Sequence, residues 1–372
     1  MKKSLVAPAL LSALALSFAG CAKAPDAATP STSAGGASAS AGGAAASGDF
    51  KACMVSDEGG FDDKSFNQTS HDGLVRAKKE LEIETGEMQS ATANDFAKNL
   101  NEMVDAKCNI IVTVGFMLGD ATVAAAKKNP DVQFAIVDWN DAAKTAGLKN
   151  LKPLIFNTAE PSFMAGYTAA SMSKTGSIGT LGGMNIPTVT IFMDGFHQGA
   201  TYFNTQKKKN VKVLGWNPKN PKGGQFVGNF SDVAGGSRIA STLTSQGADV
   251  IFPVAGPAGE GALQVAKKSG GKVNAVWVDT DGCVSSASYC SNIMTSVQKA
   301  MDVAVFDAIK AAKDGKFSSD PYVGNLANDG VKLAEFHEFD SKIPAELKDE
   351  LETIKSDIVS GKIKIESASQ PK

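Results

Sequence analysis

The stretch NIIVTVGFMLGDATVAAAKKNPDVQFAIVDW (109–139) decides how this chain is read. NIIVTV (109–114) is an unbroken apolar run, the kind that lies buried on both faces of a parallel sheet. A helix follows from about Asp120, and QFAIVD (133–138) is the next strand. Strand, helix, strand is the repeating unit of a doubly wound α/β fold.

The same rhythm extends in both directions. KACMVS (51–56) reads as a strand. Asp62 or Asp63 then caps a helix to about Leu81, with Phe66, Leu74, Ala77 and Leu81 on one face. Asn94 opens a further helix that aligns Phe96, Leu100, Met103 and Val104, and KPLIFN (152–157) is another strand. A second series starts near Pro161. Helix 161–174 leads to SIGTLGG (177–183), and Pro187 starts a helix that runs to about Gln206. Strand VKVLGW (211–216), helix 237–246, strand DVIFPVAG (249–256), helix 259–269 and strand NAVWVDTDG (274–282) follow. SNIMTS (291–296) precedes a long helix to about Lys313, and a strand near 332–337 and a helix near 344–360 complete the chain. Two α/β lobes are expected, about 50–157 and 158–282.

Composition narrows the function. The chain has 372 residues, 43% hydrophobic and 20% charged, with a net charge of −2. Lys2, Lys3, Lys23, Asp26 and Asp49 fall in the first fifty residues, leaving 34 basic against 37 acidic residues for the body. Such a balance offers no basic field for a nucleic-acid backbone and no basic run for anionic lipid.

The N-terminus reads as an address and a tether. Lys2 and Lys3 precede an apolar stretch from Leu5 to Phe18, too short for a comfortable membrane span. Ala19, Gly20 and Cys21 follow, so residues 1–21 read as a lipoprotein signal with Cys21 as the lipid-bearing residue. Residues 22–49 contain no Val, Ile, Leu or aromatic residue and cannot bury enough apolar surface to order themselves. As a flexible coil they would span on the order of 30 Å.

Cys53, Cys108, Cys283 and Cys290 form an even set that an exported protein can oxidise, with three connectivities open and four buried thiols as the alternative. In a 2-1-3 strand order the strands of Cys53 and Cys108 are neighbours, with both Cys at the same end, so that pair is expected. Cys283 and Cys290 flank a short loop and can pair as well.

Ligands of open α/β sheets bind beyond the carboxyl ends of the strands. Those positions hold Asp57, Gly59, Gly60 and Phe61; Gly115 and Phe116; Asp138 and Trp139; Gly182 and Gly183; Asn229 and Phe230; Ala255 and Gly256; Asp279 and Asp281. Glycine permits close backbone approach, aromatic rings give stacking faces, and carboxylates accept hydrogen bonds in pairs. Together they describe a cleft for a neutral, polyhydroxylated, partly aromatic ligand.

Asp57-Glu58-Gly59-Gly60-Phe61-Asp62-Asp63-Lys64-Ser65-Phe66-Asn67-Gln68 resembles the opening motif of the basic membrane lipoprotein family, substrate-binding lipoproteins of ABC importers, several of which bind purine nucleosides. Val112 to Phe116, Gly179 to Gly183, Gly195-Phe196 with Gly199, Val227 to Asp232, Val250 to Gly256, Trp277 to Asp281, Thr295 to Val297 with Lys299, and Leu326 to Val331 extend the likeness over about 51–362. The resemblance implies a type I periplasmic-binding-protein-like α/β fold, two doubly wound parallel-sheet lobes joined by a hinge. Residues 50–157 plus about 290–317 would form the first lobe, and 158–289 plus about 318–372 the second. It also implies roles: Phe61 and Phe230 clamp the base, Asn67 and Asp138 bond to or orient it, Asp279 and Lys299 hold the ribose hydroxyls, and the backbone near Gly256 closes the contact. Asp57 and Phe116 are expected to join this ligand-binding set. The expected partners are a nucleoside and ABC permease subunits, with no cofactor, no metal, a monomeric body and the lipid as the only membrane contact.

An enzyme reading has little to stand on. Adjacent Asp62 and Asp63 on a turn point in different directions, which suits helix capping better than acid–base work. His71, His197 and His337 lie in separate elements, and no HExxH, GxSxG or GxxxxGK[ST] pattern occurs. A sugar or signalling-molecule receptor on the same fold is the alternative, and an exported hydrolase or adhesive surface protein is more distant.

Overall fold

Continuous burial along short apolar strands is what this fold is made of. The computed structural model describes residues 50–371; the signal, the tether and Cys21 lie outside the described residues. In chain order the elements are β1 (Lys51–Ser56), α1 (Phe66–Leu81), β2 (Glu84–Gln89), α2 (Phe96–Asp105), β3 (Ile110–Val114), α3 (Gly119–Lys128), β4 (Gln133–Val137), α4 (Ala142–Thr145), β5 (Leu151–Phe156), α5 (Ala159–Met172), β6 (Ser177–Gly182) and α6 (Pro187–Lys207). They continue as β7 (Lys212–Leu214), α7 (Val233–Ser245), β8 (Val250–Val254), α8 (Glu260–Lys268), β9 (Asn274–Asp279), α9 (Gly282–Ser285), β10 (Ile293–Lys299), α10 (Met301–Lys313), β11 (Tyr322–Gly324), β12 (Val331–Leu333) and α11 (Ala345–Val359).

Two six-stranded sheets result, in the orders β11-β5-β4-β3-β1-β2 and β12-β10-β9-β8-β6-β7. The first is parallel throughout. The second is parallel except where β12 runs against β10. The chain therefore folds as two doubly wound α/β lobes, with β3 and β8 buried along their whole lengths at the sheet centres.

The late part of the chain crosses between lobes more often than the expected boundaries allow. β10 lies in the second sheet, although a boundary near 290 assigned it to the first lobe, and β11 lies in the first sheet, beyond the boundary near 317. Helix α10 packs on α1: Arg76 lies 3.9 Å from the Phe306 ring centroid, and the Lys313 ammonium donates to the Leu81 carbonyl at 2.6 Å. Helices α5 and α6 approach closely because Gly195 and Gly199 face backbone. A Cβ there would come within 2.3 Å of the Ala159 carbonyl oxygen and 1.9 Å of that of Phe163.

Both cysteine pairs are bridged, with Cα separations of 5.9 Å for Cys53–Cys108 and 4.5 Å for Cys283–Cys290. The first bridge ties β1 to the segment entering β3, its neighbour in the sheet.

Candidate ligand-binding site

Strand ends build the site. Asp57 directly follows β1 and Asp138 follows β4, while β9 ends in Asp279 and β10 in Lys299, and one cavity between the lobes is lined by all four. Asp138 and Asp279 adopt left-handed backbone angles, φ 60° and 68°. Such angles cost non-glycine residues on the order of 1–3 kcal/mol and persist where the surroundings dictate them. Here Lys299 does: its ammonium lies 2.6 Å from Asp138 Oδ2 and 3.0 Å from Asp279 Oδ1. All three side chains are buried. The same ammonium lies 4.6 Å from the Phe66 ring centroid and 5.3 Å from that of Phe192, within cation–π reach.

Burial would lower the Lys299 pKa, but Asp138 and Asp279 outweigh it and raise it, so the lysine stays charged. Burial raises the Asp138 pKa, with Lys299 opposing. Asp57 is pushed up to about 8, chiefly by desolvation, with the Asn67 hydrogen bond opposing and Asp63, Glu58 and Asp138 adding to the rise.

The loop after β1 sets the first lobe's contribution. Asp63 caps α1 from outside the helix, accepting backbone N–H groups of Ser65 at 2.9 Å, Asn67 at 3.0 Å and Gln68 at 3.0 Å. Ser65 is thereby free of the capping task, and its hydroxyl donates to Asp279 Oδ2 at 3.1 Å across the cleft. Asn67 Nδ2 donates to Asp57 Oδ1 at 3.0 Å, while Asn67 Oδ1 is buried without a partner. Gly115 (φ 119°) lets the Asp57 carboxylate lie against it, since a Cβ there would come within 2.0 Å of Oδ2. In the second lobe Gly183 makes room for Phe230, whose ring would be 2.4 Å from a Cβ at that position. The Phe230 carbonyl accepts the Ala258 N–H at 2.8 Å, tying its loop to the turn at Gly256.

Asp57, Asn67, Phe116, Asp138, Phe230, Gly256, Asp279 and Lys299 line this cavity together. Phe61 does not. It is buried and stacked on His71, ring centroids 4.5 Å apart, with His71 Nε2 3.2 Å from Glu87. The first-lobe rings on the cavity are Phe66 and Phe116. The sequence places Phe66 on one helix face with Leu74, Ala77 and Leu81, and its position beside Asn67 at the helix start is the signal that points it to the site. Glu58, Asp63 and Phe192 also line the cavity without having been expected.

Three other strand-end residues serve the scaffold. Asn229 accepts the backbone N–H groups of Ser231 and Asp232 at 2.9 and 2.7 Å. Asp281 caps α9 and pairs with His337 at 2.7 Å. Trp139 packs over Gly119, where a Cβ would come within 2.1 Å of its ring nitrogen.

The cavity encloses about 60 Å³, well below the ~300–1,000 Å³ usual for small-molecule sites. Lys299–Asp138 and Ser65–Asp279 hold the walls together across the cleft. Admission of a ligand therefore requires the lobes to part, a hinge motion of the kind two-lobed binding proteins use. The cavity's ionisable groups are Asp57, Glu58, Asp63, Asp138, Asp279 and Lys299. This excess of carboxyl groups disfavours an anionic ligand and suits a neutral one with hydroxyls and N–H groups.

Known proteins resemble this chain over most of its length. The ABC transporter nucleoside-binding protein BmpA of Lactococcus lactis subsp. cremoris is 33% identical over 336 residues, covering 86% of this chain and 90% of that one. Basic membrane protein A1 of Borrelia garinii subsp. bavariensis is 32% identical, covering 84% and 87%. Among solved structures, an ABC transporter solute-binding protein from Aeropyrum pernix superposes with a TM-score of 0.74 at 23% identity, covering 85% of this chain and 92% of that one, a likeness of fold. The family model described as ABC transporter substrate-binding protein, PnrA-like, matches residues 50–369, and the chain belongs to that family.

Proposed function

We propose that this chain is an extracytoplasmic lipoprotein, anchored through Cys21, that captures nucleosides and delivers them to an ABC permease. The observation that carries the reading is that Phe66 and Phe230 line one cavity from opposite lobes, among several carboxyl groups. Phe66 and Phe230 would stack on the two faces of a base, each contact contributing ~0.5–1.5 kcal/mol beyond area burial. The unpartnered Asn67 Oδ1 would accept an N–H from the base, with Asp138 orienting it. Asp279 and Lys299 would hold the ribose hydroxyls, and the backbone at Gly256 would close the contact. The protein works by binding: Asp63 spends its oxygens on backbone N–H groups rather than on acid–base chemistry. Among the described residues no helix is long and apolar enough to cross a membrane. Membrane attachment is assigned to Cys21, and Cys21→Ser is expected to release the protein from membranes.

The test is a thermal-shift screen of protein first stripped by unfolding and refolding. Adenosine, guanosine, inosine, cytidine and uridine would be compared with free bases and ribose. Ligand at 100 times its Kd stabilises by ~2.7 kcal/mol, a shift of several degrees. Purine nucleosides are expected to give the largest shift. Ribose matching them would indicate a sugar receptor, and no shift with any nucleoside would contradict the proposal.

A further inference from the structure

We propose that Asp57 works in this site as a carboxylic acid, keeping a proton on the oxygen that Asn67 does not engage and donating it to an acceptor on the ligand. The idea rests on the nucleoside reading for the ligand, but not for the state of Asp57 itself.

The geometry of charge carries it. Lys299 is the cation among the described residues lining the cavity, and it is engaged by Asp138 and Asp279 at 2.6 and 3.0 Å. Asp63 is satisfied by the N–H groups at the start of α1. Asp57 has neither arrangement. Its side-chain donor is the neutral amide of Asn67, on Oδ1, and its Oδ2 lies against Gly115. The charged groups facing it are Glu58 and Asp63 from its own loop and Asp138 from the end of β4, all acidic. A carboxylate pressed among carboxylates, in a cleft that closes, is stabilised by keeping its proton. Desolvation accordingly holds its ionisation near pH 8, well above the usual carboxylate range. A neutral Asp57 offers the ligand one donor and one acceptor, whereas an ionised Asp57 offers acceptors alone and repels the acceptor it should bind.

Two measurements test this. In ligand-free protein carrying ¹³C-labelled aspartate, the Asp57 carboxyl resonance, assigned by its loss in Asp57→Asn, is expected to titrate with a midpoint near 8. A midpoint near ~4, ordinary for aspartate, overturns the proposal. Calorimetric titration of the tightest-binding nucleoside of the panel is expected to show affinity falling about tenfold per pH unit above that midpoint. The affinity that Asp57→Asn retains is expected to be flat with pH. A wild-type affinity that is flat between about pH 6 and 9 overturns the proposal as well, because a purely structural Asp57 would not link binding to a proton. If no nucleoside binds at any pH, the nucleoside reading fails and the carboxyl titration still decides the state of Asp57.

Discussion

The two walls of the cavity are chemically unequal. The first lobe presents Asp57, Glu58, Asp63 and Asp138 around Phe66 and Phe116, while the second presents Asp279 and Lys299 beside Phe192 and Phe230. Asp138 thus has its counter-ion on the other lobe, 2.6 Å away, and the Ser65 hydroxyl has its acceptor there too. Neither wall is electrostatically complete alone. The Lys299 triad and the Ser65 bond are complete only with the lobes together, so lobes that part to admit a ligand would break both, and whatever perturbs the triad perturbs the closed state.

Removing the cation should break the comparison most severely. Lys299→Met leaves Asp138 and Asp279 buried without their partner, and loss of one member of a buried ion pair typically costs ~3–5 kcal/mol. A large fall in urea midpoint is expected, with partial recovery in Asp138→Asn, Lys299→Met. Next in size is the bridge that braces the first lobe. Cys53→Ser with Cys108→Ser opens a loop with a sequence separation of 55 and is expected to cost on the order of 4 kcal/mol. The second lobe's bridge spans a separation of 7, for roughly 2 kcal/mol. Equal losses from the two bridges would remove this asymmetry between the lobes.

Asp57 sharpens the contrast through pH. Its folded pKa of about 8 lies above the ordinary value of 3.8. The stability it supports is therefore full below pH ~4 and is lost as pH rises toward 8. Asp57→Asn should raise the melting temperature of ligand-free protein by a few degrees at pH 8 and by little near pH 4. Melting curves across that range check the sign, and destabilisation at pH 8 would contradict it. The smallest change in unfolding midpoint is expected from Ser65→Ala, which removes one cross-cleft hydrogen bond to a carboxylate, ~1.5–3 kcal/mol in the closed form only. It should favour the open form in small-angle scattering while changing the unfolding midpoint little.

Much of this architecture was legible in the sequence because buried parallel strands are uninterrupted apolar runs. NIIVTV and DVIFPV could hardly be anything else. β2 escaped because ETGEMQ is a half-exposed edge strand with charged side chains, as edges that resist aggregation tend to be. β11 escaped because three residues carry no period. The strand-end aspartates were readable from position alone, since Asp57, Asp138 and Asp279 each follow an apolar run. What could not be read was depth. Phe61 and Phe66 sit five residues apart in one motif, and composition does not say which ring reaches the cleft. Left-handed angles at Gly60 and Lys64, φ 75° and 57°, belong to the turn that seats Phe61 on His71 and starts α1 at Phe66. Nor does a sequence show that Lys299 and Asp138, 161 positions apart, share a proton-bearing contact.

Those two phenylalanines also give the most direct test of capture between the lobes. Calorimetric titration of purine nucleosides into wild type, Phe66→Ala and Phe61→Ala separates stacking from packing. Phe66→Ala should weaken binding at least tenfold while the fold persists, whereas Phe61→Ala should lower the melting temperature and leave the affinity within a few-fold of wild type, since a lost stack is worth ~0.5–1.5 kcal/mol beyond its buried area. Nucleoside affinity that survives Phe66→Ala and disappears with Phe61→Ala would contradict the assignment.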